Sequence, residues 1–209
     1  MSNRTIVVTG TDTDIGKTVF AAALTAALGA SYWKPVQAGL EEGGDTAVVA
    51  RLGDLPADRI LPEIYRLTTP CSPHRAAQID GVEIDVERLA VPVIDGPLVI
   101  EGAGGVLVPL TPDLLFADVF ARWQRPVVLV ARTGLGTINH SLLSIEALRR
   151  RHVPILGIAF VGDAVENSEA TIARIGGVSR LGRLPHLPEL DATILSAAFQ
   201  AHFSLQDFQ

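Results

Sequence analysis

A glycine-containing loop near the amino end of the chain constrains the fold more than any other feature. Residues 10–18 read Gly-Thr-Asp-Thr-Asp-Ile-Gly-Lys-Thr, follow the short apolar run 6–9 and precede the alanine-rich run 19–28. This order of strand, glycine loop and helix is typical of a nucleoside triphosphate site, because backbone N–H groups and the helix amino end attract phosphate. Lys17 is expected to reach the outer phosphates and the Thr18 hydroxyl to ligate magnesium. The alternative, a helix that begins with Gly-Lys-Thr by chance, fits the flanking segments less well.

Size, composition and charge indicate an ordinary globular chain. Its 209 residues are 48% hydrophobic and 19% charged, which suits a single domain over residues 1–209 with a substantial core. The formal net charge of -6 argues against nucleic acid as a partner, and no apolar run is long enough to span a membrane. We expect no signal peptide, because the sequence passes directly into a strand. The one cysteine, Cys71, excludes an internal disulfide, so a cytoplasmic location is expected.

Short apolar runs alternate with stretches of helical spacing, which predicts an α/β fold of the phosphate-loop NTPase type. We expect a mostly parallel sheet with helices on both faces. Polar or glycine-rich residues follow four of the predicted strands, namely Thr9-Gly10, Lys34, Glu101-Gly102 and Thr133-Gly134. Ligands bind at the carboxyl ends of the strands in such sheets, so these residues are expected along one rim.

Other segments carry weaker signals. The sequence predicts one strand over residues 31–36, a polar glycine-rich loop over 39–44, irregular structure over 54–75 and a short helix over 82–89. Cys71 and the histidines lack metal-ligand spacing. No Ser/His/Asp or Cys/His set is recognisable in the sequence, and the histidines are more typical of structural positions. Residues 102–105, Gly-Ala-Gly-Gly, permit a close backbone approach to a ligand or a tight turn.

Three charged residues are candidates for chemistry at the rim. Lys34 would by itself be a surface residue, but beside a phosphate loop it can neutralise a transferring phosphoryl group or an anionic substrate. Glu101 follows a buried strand, where phosphate-loop enzymes place a metal-binding acid, and the alternative is a loop acid that caps backbone N–H groups. Magnesium prefers oxygen ligands of this kind. For Asp45, spacing alone favours the N-cap of a helix that begins at Thr46.

Five segments together resemble the dethiobiotin synthetase family of biotin biosynthesis. The segments are residues 10–18, Lys34-Pro35-Val36-Gln37, Pro70-Cys71-Ser72-Pro73-His74, Glu101-Gly102-Ala103-Gly104-Gly105 and Gly136-Thr137-Ile138-Asn139-His140. They occur in the order found in the family, and the first and fourth are specific in combination. Thr11 stands where a generic phosphate loop has its first glycine, and this form is also similar to the family's loop.

The resemblance implies a reaction and its partners. The substrates would be 7,8-diaminononanoate, CO2 derived from bicarbonate, and ATP, with Mg²⁺ as cofactor. CO2 would add to one amine as a carbamate, ATP would phosphorylate it to a mixed anhydride, and the second amine would close a cyclic urea. Family members are homodimers with the substrate near the subunit interface, so Asn139 would contact the carboxylate of a substrate bound mainly to the other subunit.

The resemblance also implies a role for each matching residue. Lys17 and Lys34 would be catalytic, and Thr18, Asp45 and Glu101 would hold magnesium, which raises Asp45 above its helix-capping alternative. The nucleotide would contact Asp12, Thr13, Asp14, Ile15, Gly16, Lys17, Thr18, Val19, Asp45, Glu101, Gly102, Gly104, Gly162, Asp163, Pro185, His186 and Leu187. The substrate would contact Thr13, Lys34, Ala38, Gly104, Val106 and Asn139.

Three positions depart from the family pattern. Ala38 stands where members often have serine or threonine, and Thr133-Gly134 lacks a lysine that some members carry. Gly162 stands where many members have an asparagine that reads the adenine edge. The resemblance therefore implies a permissive base site, with backbone contacts from residues 184–187 in place of that side chain.

A phosphate-loop partitioning ATPase is the alternative from another functional class. That class predicts a second lysine in the loop and a basic or membrane-binding tail. The loop has Asp12 and Asp14 instead, and residues 205–209 are not basic. A cobyrinic-acid-type amide-transfer synthetase would need a further glutaminase domain, for which 209 residues leave no room.

Overall fold

A parallel β-sheet forms the centre of the computed structural model, which describes residues 4–40 and 43–208. The strands are β1 (Thr5–Gly10), β2 (Ser31–Trp33), β3 (Val36–Ala38), β4 (Tyr65–Leu67), β5 (Leu98–Gly105), β6 (Pro109–Thr111), β7 (Leu114–Leu115), β8 (Val127–Arg132), β9 (Ile155–Val161) and β10 (Arg180–Leu184). The main sheet has six parallel strands in the order β10-β9-β8-β1-β5-β2, and two small two-stranded sheets pair β3 with β4 and β6 with β7. The predicted α/β architecture is thereby confirmed.

Helices cover both faces of the main sheet. They are α1 (Lys17–Leu28), α2 (Gly44–Leu52), α3 (Pro73–Asp80), α4 (Phe116–Trp123), α5 (Thr137–Arg150), α6 (Glu166–Gly176) and α7 (Ala192–His202). Side chains alternate across each strand, so Val8 packs with α1, α2 and α7 on one face, whereas Val7 packs with α3 to α6 on the other. Each face therefore buries its own apolar core.

An aromatic cluster fixes the helix that follows the glycine loop. Phe20 of α1 packs against Phe199, Phe203 and Phe208, and the rings of Phe199 and Phe203 stack with centroids 4.6 Å apart. Burial of a phenylalanine side chain contributes about 1.5–3 kcal/mol. The carboxyl-terminal helix thus holds α1, and with it the loop, against the sheet.

The strand order places a crevice at the glycine loop. β1 lies between β8 and β5, and the chain leaves β1 through α1 to reach the edge strand β2. The connection after β1 runs to one side, towards β2, and the connection after the neighbouring β8 runs to the other side, towards β9, so the carboxyl ends of β1 and β8 form a topological switch point. Ligands of open α/β sheets bind at such points.

Four sequence predictions differ from the structure. The strand predicted over 31–36 is broken into β2 and β3, because Pro35 has no N–H to donate to a ladder. The irregular segment 54–75 contains a 3₁₀ turn at Ala57–Arg59, strand β4 and the start of α3. The helix predicted over 82–89 is only a 3₁₀ turn at Val86–Leu89. Of the predicted loop 39–44, residues 41 and 42 lie outside the described residues, and α2 already begins at Gly44.

The helices of residues 4–40 and 43–208 were compared with the length and apolar character that a membrane span requires. None of these helices meets both requirements.

Candidate active site

The conformation of the glycine loop requires glycine at position 16. Gly16 has a φ of 91°, and a Cβ at this position would lie 2.8 Å from the Val161 side chain. Both facts require glycine directly before α1. The Lys17 ammonium folds back and donates a hydrogen bond of 2.6 Å to the Asp12 carbonyl oxygen. The loop thus curls around the amino end of α1, where the backbone N–H groups of a first helical turn can bind an anion.

The remaining loop residues differ in exposure. Asp12, Thr13 and Asp14 are exposed, whereas Ile15 is buried and anchors the loop to the core. Burial lowers the pKa of Lys17, although the Glu101 carboxylate opposes that shift. A lysine that is buried next to a carboxylate and lines a cavity is suited to hold phosphate oxygens.

Lys34 lies at the centre of the charged cluster. Its ammonium is 2.6 Å from Asp45 Oδ2 and 3.0 Å from Glu101 Oε1, and it donates a further hydrogen bond of 3.0 Å to the Gly102 carbonyl oxygen. A lysine ammonium has three N–H donors, and these three contacts give each donor an acceptor. The Lys34 side chain is 2% exposed and Glu101 is fully buried. The cation is therefore held in one orientation at the rim of the sheet.

Strand register explains how these residues meet. β2 pairs with β5 so that Trp33 lies opposite Ile100, which brings Lys34 beside Glu101. Tyr32 pairs with Val99 in the same register. Because side chains alternate along a strand, Tyr32, Lys34 and Glu101 share the face that α1 and α2 cover. The Tyr32 hydroxyl donates a hydrogen bond of 2.9 Å to Glu101 Oε2.

The charged cluster around Lys34 shifts the pKa values of its members. Burial alone would lower the pKa of Lys34, but the Glu101 and Asp45 carboxylates outweigh it and raise that pKa. Burial opposes ionisation of Asp45, yet Lys34 holds the pKa of this carboxyl below its usual range. Burial and the Glu101 carboxylate raise the pKa of Tyr32 well above its usual range. Lys34 and Asp45 are thus charged at neutral pH, and the Tyr32 phenol is a neutral donor.

The predicted magnesium ligands lie together. The Thr18 hydroxyl donates a hydrogen bond of 2.9 Å to Glu101 Oε1, the oxygen that also faces Lys34. A hydroxyl and two carboxylates form the oxygen donor set that Mg²⁺ prefers. The residues present therefore fit the ion. This donor set has only two acidic side chains. Among the described residues, no group of three or more His, Cys, Asp or Glu side chains could hold a metal ion.

Two alternatives from the sequence are wrong. Asp45 does not cap its helix, because α2 begins at Gly44 with Gly43 as the N-cap, and Asp45 lies in the first turn. Glu101 is not a loop acid, because β5 continues through it to Gly105. Its carboxylate accepts side-chain hydrogen bonds from Thr18, Tyr32 and Lys34. Asp45 lines the cavity between α1 and the sheet, whereas Glu101 is fully buried behind Lys34 and Thr18 and, like Gly102, does not line it.

A cavity of about 730 Å³ opens in front of these residues. It is lined by Thr13, Asp14, Ile15, Gly16, Lys17, Thr18, Val19, Lys34, Gln37, Ala38, Asp45, Pro70, Cys71, Ser72, Pro73, Ala103, Gly104 and Val108. Of the predicted substrate residues, Thr13, Lys34, Ala38 and Gly104 are thus brought together.

Two predicted substrate residues lie elsewhere. Val106 is buried and lines a neighbouring cavity of about 400 Å³ with Asp12 and His140. Asn139 is exposed on α5 and does not line the cavity that contains Lys34.

A second cavity adjoins the glycine loop on its other side. This space of about 470 Å³ shares Asp14, Ile15, Gly16 and Val19 with the first cavity, and Pro185, His186 and Leu187 line its far wall. It is therefore contiguous with the phosphate loop and large enough for a flat ring. Asp163 is exposed and does not line this space.

Gly162 cannot carry a side chain into this second cavity. Its φ is 128°, and a Cβ would lie 2.5 Å from Thr133 Oγ1. Its N–H donates to the Leu184 carbonyl oxygen over 2.9 Å, and its own carbonyl oxygen accepts from Arg183 Nη1 over 2.8 Å. The backbone groups of Gly162 are thus engaged within the protein, and the buried Thr133 side chain lines the cavity instead.

We expect Gly162→Ala to lower the free energy of unfolding by about 1–3 kcal/mol, because alanine is strained at this φ and collides with Thr133. Adding Thr133→Ala should recover only the part due to the collision. The matched control is Gly134→Ala, since the nearest atom to a Cβ there is 4.0 Å away. Urea unfolding measures the free energy of unfolding of Gly162→Ala and Gly134→Ala. Equal stability of the two would contradict the strain at Gly162.

The sequence assigned no role to two residues of the site, although Gln37 ends one of the five family-like segments. Tyr32 binds Glu101, and Gln37 accepts the Asp45 N–H through Oε1 over 3.1 Å while its amide donates to the Gly39 carbonyl oxygen over 2.9 Å. Tyr32 could have been found from its spacing, because a residue two positions before Lys34 in one strand shares its face. The role of Gln37 depends on how α2 is placed beside β3, because its side chain accepts the N–H of Asp45 in the first turn of α2.

The glycine loop between β1 and α1, the two lysines and the two acids beside it, on a parallel sheet covered by helices, define a phosphate-loop NTPase. A family model described as an AAA domain matches residues 4–193. Curated proteins named ATP-dependent dethiobiotin synthetase BioD are also similar. Those of Novosphingobium aromaticivorans and Rhizorhabdus wittichii are each 66% identical over 97% and 98% of this chain, and 98% of each relative is covered. The chain belongs to the dethiobiotin synthetase family.

Solved structures share the fold at much lower identity. The Pyrococcus furiosus cell division ATPase MinD aligns with a TM-score of 0.55 and 13% identity over 96% of this chain and 99% of that chain. A ParA family ATPase from Chlorobium tepidum aligns with a TM-score of 0.53 and 15% identity over 96% and 93%. These likenesses concern the fold alone.

Proposed function

We propose that this chain converts 7,8-diaminononanoate, CO2 and ATP into dethiobiotin, ADP and phosphate. The observation that carries the proposal is the Lys34 ammonium, held by Asp45 and Glu101 in a cavity that Lys17 and the glycine loop also line. Two cations beside a phosphate loop suit a reaction in which a phosphoryl group moves to a second anion. The similarity to proteins named ATP-dependent dethiobiotin synthetase supports this choice among phosphate-loop functions.

The chain's own residues neutralise the nucleotide's charge. Loop N–H groups and Lys17 hold the β- and γ-phosphates, because both face the same cavity. Thr18, Asp45 and Glu101 would hold Mg²⁺, which supplies positive charge to the phosphate oxygens when bound. Phosphoryl transfer needs positioning and charge neutralisation more than covalent help, so this arrangement provides the main requirement.

Lys34 neutralises charge on the second anion, which is the carbamate of the substrate. One amine nitrogen of the substrate attacks CO2 and loses a proton, which leaves a carbamate. A carbamate oxygen then attacks the γ-phosphorus, and the bond to the ADP oxygen breaks. Lys34 and Thr13 line the space between the loop and the substrate side, so the lysine neutralises charge on the carbamate and on the moving phosphoryl group. The second amine finally attacks the carbonyl carbon, and phosphate leaves as the ring closes.

The second cavity would accept the nucleobase. Its walls carry Thr133 and residues 184–187, while Gly162 offers no side chain and no unengaged backbone group. Base selection then depends on the shape of the cavity and on its backbone edge. We propose that the site tolerates more than one base.

We also propose a homodimer with the substrate near its interface. Leu107 and Leu143 are 49% and 55% exposed, and together they line the cavities between the β5–β6 connection and α5. Asn139, on the same helix as Leu143, is exposed and lies outside its own chain's main cavity. A second copy would cover the leucines and bring Asn139 to the partner's substrate.

We expect Leu143→Asp to convert the dimer into a monomer, because a charge on a buried apolar interface is strongly unfavourable. Light scattering after size-exclusion chromatography measures the mass. Val93→Asp is the matched control, since Val93 is 98% exposed and lines none of these cavities. A dimer that persists in Leu143→Asp would place the interface elsewhere.

The test of the proposed reaction is phosphate release with single components omitted. Release should require ATP, magnesium, bicarbonate and 7,8-diaminononanoate together. A matched reaction with a monoamine of the same length can form the carbamate and be phosphorylated but cannot close the ring. Phosphate release that proceeds at the same rate without any amine would instead identify a nucleotide hydrolase of the partitioning type.

A further inference from the structure

Tyr32 is a fully buried phenol whose hydroxyl is directed at a site residue. The side chain lies on β2 within the core that α1 and α2 share with the sheet. Its hydroxyl donates to Glu101 Oε2 over 2.9 Å, and Glu101 itself is fully buried. A phenylalanine would fill nearly the same space, so packing accounts for the ring but not for the hydroxyl.

The two oxygens of Glu101 have different partners. Oε1 accepts from the Thr18 hydroxyl over 2.9 Å and from the Lys34 ammonium over 3.0 Å, and therefore faces the phosphate loop. Oε2 accepts from Tyr32 and faces the core. One carboxylate oxygen is thus turned to the ligand side, and the other is bound within the protein.

We propose that Tyr32 is a positioning residue that fixes the Glu101 carboxylate with Oε1 turned to the metal. This inference rests on the proposed magnesium site. Without the phenol, Oε2 would be a buried oxygen without this donor, and rotation of the carboxylate towards Thr18 and Lys34 would satisfy it. Such rotation would displace Oε1 from the position where it meets Thr18. Residues that orient a metal ligand typically contribute about 10–100-fold to metal affinity or activity.

The experiment compares Tyr32→Phe with Tyr65→Phe, because the chain has only these two tyrosines. The Tyr65 side chain is also buried, and its hydroxyl donates to the Asp85 carbonyl oxygen and accepts the Asp85 N–H, so its loss is chemically matched but lies outside the metal site. Binding of Mn²⁺ in the presence of a non-hydrolysable ATP analogue is measured by electron paramagnetic resonance, without turnover. A thermal melt of each variant verifies that it is folded.

We expect Tyr32→Phe to weaken Mn²⁺ binding by about tenfold or more and to raise the magnesium concentration for half-maximal turnover equally. Tyr65→Phe should leave both values unchanged, and the KM for the diamine should change little in either variant. Mn²⁺ affinity in Tyr32→Phe equal to that of the unmodified protein, while Glu101→Gln loses the ion, would overturn the positioning role. Unchanged binding in Glu101→Gln as well would overturn the magnesium site itself.

Discussion

Replacing Lys34 with methionine is expected to lower the free energy of unfolding by about 3–5 kcal/mol. The substitution keeps much of the side-chain volume but removes the cation from between Asp45 and Glu101, which lie 2.6 and 3.0 Å from it. Glu101 is fully buried, so its charge would remain without its main compensation. Loss of a partner is more costly than the pair is stabilising, because the remaining charge stays desolvated.

A double substitution separates this effect from simple loss of packing. Lys34→Met with Glu101→Gln removes both charges of the buried pair, and we expect it to be more stable than Lys34→Met alone. Arg122→Met is the matched control, because Arg122 and its partner Glu87 are 51% and 85% exposed. An exposed pair of this kind contributes at most about 1 kcal/mol. Urea unfolding that gave Lys34→Met and Arg122→Met the same small loss would contradict the buried charge cluster.

Glu101→Gln is expected to reduce magnesium-dependent turnover by about 100-fold or more while the chain stays folded. Glutamine has the same shape but presents a neutral amide, so the metal loses a charged ligand. The fold tolerates the change, because Lys34 keeps Asp45 as its counter-ion and Tyr32 can still donate to an amide oxygen. The loss of stability should be about 1–3 kcal/mol, smaller than for Lys34→Met.

Turnover over a range of magnesium concentrations tests the role of Glu101. A higher magnesium requirement that excess metal partly overcomes indicates lost ligation. Glu63→Gln is a matched control, since Glu63 bonds Thr46 and Arg66 and does not line the main cavity. Unchanged turnover in Glu101→Gln would remove this residue from the metal site.

The phosphate loop and the sheet could be predicted because their signals are local. The glycine loop and the alanine-rich run 19–28 predict a helix directly after the loop, and α1 spans Lys17–Leu28 between Gly16 and Gly29. Lys34 follows β2, and Glu101 lies within β5 of the same parallel sheet, so their proximity follows from the pairing of these two strands.

Other parts of the site depend on packing that a sequence does not display. Residues Tyr65–Leu67 of the segment 54–75 form β4 because they pair with β3. No sequence pattern within the segment indicates this pairing. The sequence shows that Gly162 lacks a side chain. It does not show that a Cβ at this position would collide with Thr133, because that contact depends on how closely the ends of β8 and β9 approach. Asp45 was a capping candidate on spacing, whereas the observed cap is Gly43 and the carboxylate pairs with Lys34.

The fate of the carbon atom of bicarbonate tests the proposed reaction most directly. The protein would be incubated with ¹³C-bicarbonate, MgATP and 7,8-diaminononanoate, and the product examined by mass spectrometry and carbon NMR. We predict a cyclic urea with one labelled carbonyl carbon, formed in equal amount to the phosphate released and lost in Lys34→Met. Release of phosphate with no label in a cyclic product would contradict the proposed synthetase activity.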